Sequence, residues 1–194
     1  MTLPLDARPI IVVLAGPNGA GKSTFHEAHL QQAGLRFVNA DDLARDVGIT
    51  AYEAAELANQ LRRELVRQRE SFVFETVLSD PVGDKIDFLK DATRAGYAVV
   101  LCFIGLDRAE TSAQRVAMRV LQGGHDVPEG KLVTRFDRTL ANLHRAIREL
   151  PIVHVFDNSD LRYPFRRVAE FDHGKAVMMS RRVPAWLKLS KGQP

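Results

Sequence analysis

The sequence predicts an α/β fold, a parallel sheet wrapped by helices, and three observations carry that prediction. Five short apolar runs recur along the 194 residues, at 10–14, 37–39, 71–74, 98–104 and 152–156, with helical patterns between them. The first run passes directly into a glycine-rich loop that opens a helix, the order expected of a phosphate-holding unit. Hydrophobic residues make up 45% of the chain, which is enough for one globular domain with a sizeable core over residues 1–194.

The first run, "IIVVL", is β-branched and uninterrupted, as a parallel strand buried on both faces requires. It leads into "AGPNGAGKST", where Gly16, Gly21, Lys22 and Ser23 satisfy the pattern G-x-x-x-x-G-K-[ST] and Thr24 follows. Glycines let the loop of Gly16, Pro17, Asn18, Gly19, Ala20 and Gly21 fold tightly around an anion. The amides of residues 19–23 then point at the phosphates, and the helix N-terminus adds partial positive charge. Lys22 is placed to reach the β- and γ-phosphates, and the Ser23 hydroxyl to take one Mg²⁺ position. The chain is therefore expected to bind a nucleoside triphosphate, ATP first and GTP as the alternative. Residues 22–32 contain no Pro or Gly and read as the helix that follows.

The second run ends in "NADDLARD". Either Asp41 or Asp42 can cap a helix from Leu43 onward; Asp42 is assigned the cap and Asp41 a functional role. Residues 51–69 form a long amphipathic helix with Leu57, Leu61 and Leu65 on its apolar face and Arg62, Arg63, Arg67 and Arg69 among its polar positions. The third run ends in Glu75 and Thr76, and the fifth in Asp157-Asn158-Ser159, a turn beside the nucleotide base or a plain turn. Between the fourth and fifth lies an Arg-rich helical insertion, residues 107–150, broken by Gly123-Gly124 and Pro128. It matches the position of a kinase lid with a glycine hinge. Residues 166–168 and 176–179 read as a C-terminal β-hairpin, followed by a basic tail from Pro184.

Charge and composition narrow the class. A net charge of +3 and a pI of about 9.2 suit an anionic nucleotide and an anionic second substrate, and do not point to nucleic acid. The lone Cys102 can form no internal disulfide, which fits a reducing cytoplasm. The longest apolar stretch, residues 98–106, falls far short of the ~20 residues of a membrane helix. Asp6, Arg8 and two prolines interrupt any secretory leader.

Two decoys fail. "LQGGH" echoes the signature of transporter motors, but the next strand ends in Asp157-Asn158, where a motor needs a glutamate to activate water. "HEAH" spaces His26 and His29 by three, whereas a zinc protease needs i, i+4.

Ligands of an open α/β sheet collect outside the carboxyl ends of its strands, so Asp41, Glu75 and Asp157 should share a crevice with the phosphate loop. Transfer of a phosphoryl group to a hydroxyl needs a proton acceptor, metal positioning and cations over the migrating charge. Asp41 is placed to accept the proton. Glu75 is placed to orient Mg²⁺ through water or to hold the acceptor. Arg115, Arg119, Arg135 and Arg138 can supply the cations, unless they form an ordinary solvated face.

With these residues in place, the loop, "NADDLA", "FETVLSD", "RVAMRVLQGGHDVPEGKLVTRFDRTLANL" and "VFDNS" together resemble the zeta-toxin-like kinases, in particular the compact branch labelled predicted ATPases. The resemblance implies a nucleotide-kinase-like five-stranded P-loop sheet and ATP/Mg²⁺-dependent phosphorylation of a small-molecule hydroxyl, with UDP-N-acetylglucosamine as leading acceptor. It also implies a protein antitoxin as a candidate partner. Carried over by motif, Lys22 is the phosphate lysine and Asp41 the general base, and Glu75 and Thr76 line the acceptor site. Arg115 is the first lid arginine and Arg135 the second, with Arg119, also counted among the acceptor-binding residues, and Arg138 as rivals. His125 is assigned lid packing or hydrogen bonding. Two rival readings are a phosphotransferase for another acceptor (antibiotic, nucleoside or nucleic-acid end) and a regulatory nucleotide-binding switch.

Overall fold

The computed structural model describes residues 3–121 and 129–188. Strands β1 (Ile10–Ala15), β2 (Arg36–Val38), β3 (Phe72–Thr76), β4 (Ala98–Gly105) and β5 (Ile152–Asp157) are joined by helices α1 (Lys22–His29), α2 (Ala40–Val47), α3 (Ala51–Arg67), α4 (Asp84–Arg94), α5 (Ala109–Leu121) and α6 (Glu129–Glu149). Strands β6 (Arg166–Asp172) and β7 (Lys175–Met179) complete the chain's sheet in the order β2-β3-β1-β4-β5-β6-β7. The first five are mutually parallel, and β6 and β7 are antiparallel. The sheet thus has seven strands where the sequence predicts five plus a hairpin. The hairpin is not an appendage, because Val168, Ala169 and Phe171 of β6 are buried in the core and bind it to β5.

Side chains alternate across the pleat, so one strand feeds both layers. Ile11 and Val13 of β1 join Phe72, Phe74, Leu101 and Phe103 under α3, α4 and the C-terminal half of α6. Ile10, Val12 and Leu14 join Phe25, Val100, Ile104 and Phe156 on the opposite face. Burial on both faces explains why these strands read as continuous apolar runs rather than alternating ones. Near the C-terminus, the Trp186 ring lies flat against Gly105, where an added Cβ would sit 2.2 Å from the indole.

Local boundaries differ from expectation in informative places. Helix α1 ends at His29 and gives way to a 3₁₀ turn, Gln31–Ala33. Helix α2 begins at Ala40 rather than Leu43, and its cap is Asn39, whose side chain accepts from the Asp41 amide at 2.9 Å. Asp42 is therefore not the cap. It lies in the first turn and pairs with Arg45 at 2.6 Å. In α3 the buried seam runs through Ala54, Ala58, Arg62 and Leu65, while Leu57 faces outward. The insertion resolves into α5 and α6, and Gly123-Gly124, His125 and Pro128 lie outside the described residues. Among the described residues, no helix is long and apolar enough to cross a membrane.

Candidate active site

Strand β1 sits between β3 and β4, so its C-terminal loop opens at the point where the connections turn to opposite sides of the sheet. Gly16 can make that turn because it has no Cβ. One placed there would lie 2.1 Å from the Ile104 carbonyl oxygen of β4. Gly21, at φ 87°, begins α1 in the left-handed region that glycine tolerates.

Inside this loop, the Lys22 ammonium is buried and donates to the Gly16 and Pro17 carbonyls, each at 3.1 Å. It also lies 3.6 Å from the Glu75 carboxylate. The Ser23 hydroxyl donates to the other Glu75 oxygen at 2.9 Å, and the Asn39 amide approaches that oxygen at 3.4 Å. Glu75 at the end of β3 is therefore the junction between the phosphate loop and the next pocket. His26 and His29 are committed to packing, His26 stacked on Phe37 at 3.9 Å and His29 against Phe25 at 4.7 Å, with burial lowering both pKa values. No cluster of three or more metal-ligating side chains exists among the described residues. Magnesium in nucleotide sites needs none, since one or two carboxylates and the substrate phosphates hold it. A serine hydroxyl resting on a carboxylate at the phosphate loop fits such an ion.

Two pockets flank the loop. The first, of about 430 Å³, is lined by Asn39, Asp41, Arg62, Glu75, Thr76, Asp80, Arg135 and Arg138, among others. Its floor is the segment after β3, and α6 fixes that segment. The Thr139 hydroxyl lies 2.9 Å from the Val77 carbonyl, and the Asn142 amide donates to the Leu78 and Asp80 carbonyls at 2.9 and 3.0 Å. Leu78 is held at a φ of 59°, a strained conformation for a non-glycine residue, and the Thr76 hydroxyl accepts from its amide at 3.1 Å. Arg135, Arg138, Thr139 and Asn142 recur at i, i+3, i+4 and i+7, so one stripe of α6 both clamps the floor and lines the pocket.

The second pocket, also about 430 Å³, is lined by Gly21, Thr24, Arg115, Met118, Arg119, Asn158 and Phe165, among others. Its backbone is knitted by two residues. Buried Asn158 donates from its side chain to the Ala20 carbonyl at 2.8 Å, from its amide to Gly105 at 3.0 Å, and accepts from the Phe165 amide at 3.3 Å. Arg115 donates to the Asn158 carbonyl at 2.7 Å and the Ser159 carbonyl at 3.2 Å, while burial lowers its pKa and Asp107 and Asp157 oppose that shift. Helix α5 also touches the loop through the Ser112 hydroxyl, 2.7 Å from the Asn18 carbonyl.

The structure thus brings Asp41, Glu75, Thr76 and Arg135 to one pocket, and Lys22 and Ser23 contact Glu75 from the phosphate loop. Arg115 and Arg119 fall in the other pocket, so Arg119, expected beside the acceptor residues, is placed instead with Gly21 and Thr24. One turn of α5 separates the two arginines, which keeps them on one side. The sequence reading assigns no role to Asn39, Arg62, Asp80, Ser112, Thr139 and Asn142, all of which the structure places at the pockets or against the loop. Asn39 carried a signal, since it stands just ahead of the two aspartates, separated from them only by Ala40, and has an equal claim to the cap.

The comparisons with known proteins agree with this architecture. Residues 2–166 match the family model described as Zeta toxin. An uncharacterized protein of Haemophilus influenzae is 28% identical over 130 residues, 64% of this chain and 91% of that protein. A chain from the crystal structure of AvrRxo1-ORF1:AvrRxo1-ORF2 with sulphate ions aligns with a TM-score of 0.70 at 20% identity, covering 88% of this chain and 61% of that one. The same complex with ATP gives 0.69 at 19% identity, over 88% of this chain and 60% of that one. This chain therefore spans about 61% of the length of that neighbour. A chain from the PezAT toxin–antitoxin system of Streptococcus pneumoniae aligns at 0.59 with 16% identity, over 84% of this chain and 72% of that one. At such identities the structural likeness establishes the fold, and the family model, which spans most of the sequence, establishes kinship. The chain belongs to the zeta toxin family.

Proposed function

We propose that this protein is an ATP- and Mg²⁺-dependent kinase that transfers the γ-phosphoryl group to a hydroxyl of a small molecule, with a nucleotide sugar such as UDP-N-acetylglucosamine as the leading acceptor. Family membership supports the coarser reading, a nucleotide-dependent phosphotransferase. The single observation that carries the kinase reading is Glu75, which touches the phosphate loop through Ser23 and Lys22 and lines the pocket of Asp41 and Arg135. A phosphate cradle joined through Glu75 to a pocket of about 430 Å³ has room beside it for a second substrate, which a simple switch does not need.

The chemistry assigns each group a task. The loop amides and Lys22 hold the β- and γ-phosphates, and Ser23 with Glu75 would hold magnesium, which supplies charge neutralisation at the phosphates. Asp41, exposed in the first turn of α2, takes the proton of the acceptor hydroxyl as its oxygen bonds to the γ-phosphorus. The bond from that phosphorus to the bridging oxygen breaks, and ADP leaves. Arg135 meets charge on the migrating group from the acceptor side. A protein antitoxin is the partner supported by the family and by the PezAT neighbour.

The test is to incubate the protein with Mg–ATP and a metabolite mixture containing UDP-N-acetylglucosamine and to read product masses. A mass gain of one phosphate on an alcohol is the expected outcome. Steady ATP hydrolysis with no phosphorylated product, together with partner affinity that follows nucleotide state, would replace the kinase with the switch.

A further inference from the structure

Among the described residues, only two Lys or Arg side chains are buried, Lys22 and Arg62, each 6% exposed. Lys22 faces the phosphate loop. Arg62 lies on the inner seam of α3 and lines the neighbouring pocket with its guanidinium 4.8 Å above the Phe74 ring. Among the described residues its one hydrogen-bond partner is the Asn59 side-chain oxygen, one turn away on the same helix. It has no carboxylate partner among the described residues, and the charge that perturbs it is another cation, Arg63. Burial pulls its pKa down to about 10, which still leaves it charged at neutral pH. Buried guanidinium groups are ordinarily paired, because taking the charge from water is costly. Here a neutral amide and an aromatic face stand in for the counter-ion.

A second unsatisfied group shares the pocket. Both carboxylate oxygens of Asp80 are buried without a hydrogen-bond partner among the described residues, and the ion pair of Asp80 with Lys85 is long, at 3.9 Å. Two opposite charges therefore line one cavity without pairing with each other. Phe74, beneath the guanidinium, and Thr76 point to the same side of β3, two residues or about 6.6 Å apart. The anion position lies within one short ligand's length of the residues assigned to the reacting hydroxyl.

We propose that Arg62 is the specificity-determining residue of the acceptor pocket, reserving it for alcohols that carry an anionic oxygen group, phosphate or carboxylate, with Asp80 accepting a hydroxyl or amide proton of the same ligand. This rests on the kinase reading above. The guanidinium fork suits either anion, and the bound ligand supplies the counter-charge that the fold withholds. A neutral alcohol leaves Arg62 unpaired and is rejected for that reason.

The test uses the whole chain saturated with Mg–ADP, so that the phosphate loop is filled, and thermal stability as the first readout. In the wild type, added inorganic phosphate or acetate raises the melting temperature, and the stronger of the two identifies the preferred anion. Arg62→Met loses that anion response yet melts at or above the wild-type temperature, because it removes an unpaired buried charge at similar volume. Arg62→Lys keeps the charge without the fork and recovers the response only in part. In transfer assays Arg62→Met raises the KM of an anionic acceptor by about 10–100-fold, the usual range for a charge-assisted contact, and leaves the KM for ATP unchanged. A lower melting temperature in Arg62→Met without ligand, or an unaltered anion response, overturns the proposal and makes Arg62 a packing residue. Failure of the wild type to respond to Mg–ADP itself would instead overturn the kinase reading.

Discussion

The two pockets beside the phosphate loop have the same volume and opposite construction. On the Arg115 side nearly every polar group is spoken for. The Asn158 amide bridges three backbone segments, and Arg115 is spent on carbonyls of the β5–β6 connection. On the Asp41 side charged groups are incompletely satisfied among the described residues: Arg62 has no counter-ion, and Asp80 has no hydrogen-bond partner and only a long ion pair with Lys85. A donor common to many enzymes can be held by backbone and satisfied amides. An acceptor that must be told apart from its analogues is read by side chains whose bonds are completed only by the correct ligand. Under the proposed function, the contrast separates a generic half of the site from a selective half.

The largest expected effects come from one variant on each side of Glu75. Lys22→Ala removes a point charge from the phosphates and lowers transfer on the order of 10³-fold, the scale of a lost charge-stabilising donor, with weakened Mg–ADP binding in calorimetry. Asp41→Asn lowers transfer by roughly 10²–10⁴-fold, the span of a positioned base, with ADP affinity and melting temperature at wild-type values. If Asp41→Asn also weakened ADP binding, the division between the halves would fail at its centre.

The arginines sharpen the comparison at the next level. Arg115→Ala and Arg135→Ala both lower kcat more than they raise the KM for ATP, by about 10–100-fold for a lost charged contact. Only Arg135→Ala changes the KM of the acceptor as well, and lysine rescues neither fully. Equal acceptor effects from both variants in steady-state kinetics would merge the two pockets into one.

Smaller effects fall on stability. Asn158→Ala leaves buried backbone groups unpaired and costs about 1–3 kcal/mol in denaturant unfolding. Asp42→Asn, which disturbs only an exposed pair with Arg45, leaves both activity and stability within about 0.5 kcal/mol of wild type. Asparagine would serve a cap as well as aspartate does, so Asp42→Ala is the capping test, and an unfolding loss of about 0.5–2 kcal/mol there would restore to Asp42 the role that Asn39 holds in the structure.

The generic half was largely legible in the sequence, because it is written in local patterns. Short apolar runs named the five parallel strands, and the loop consensus fixed Lys22 and Ser23 just after the first of them. The selective half was legible only in its strand ends, Asp41 and Glu75. Arg62 escaped because leucine spacing put the apolar face of α3 on Leu57, whereas the packed seam runs through Ala54 and Ala58 and carries Arg62 inward. Small residues mark close approach between layers, a signal that a hydrophobicity count does not weigh. The cap was misplaced by two neighbouring aspartates that share asparagine's chemistry. The terminal hairpin was found as a local motif, but its membership in the sheet depends on the pairing of β6 with β5 across an intervening connection, which no local pattern encodes.

The stripe on α6 has a consequence for inheritance and for protein engineering. Thr139 and Asn142 grip the floor of the Asp41 pocket, proposed to take the acceptor, and Arg135 and Arg138 help wall it, so helix and loop form one heritable unit. Transplanting residues 77–80 from a relative with another substrate would bring a new floor without the residues that hold it in place. Recombination that cuts between the two would yield folded chains that recognise neither parent's acceptor. A graft carrying both the loop and the 135–142 face moves the recognition surface intact, and it defines the smallest module within which this lineage could exchange one substrate for another.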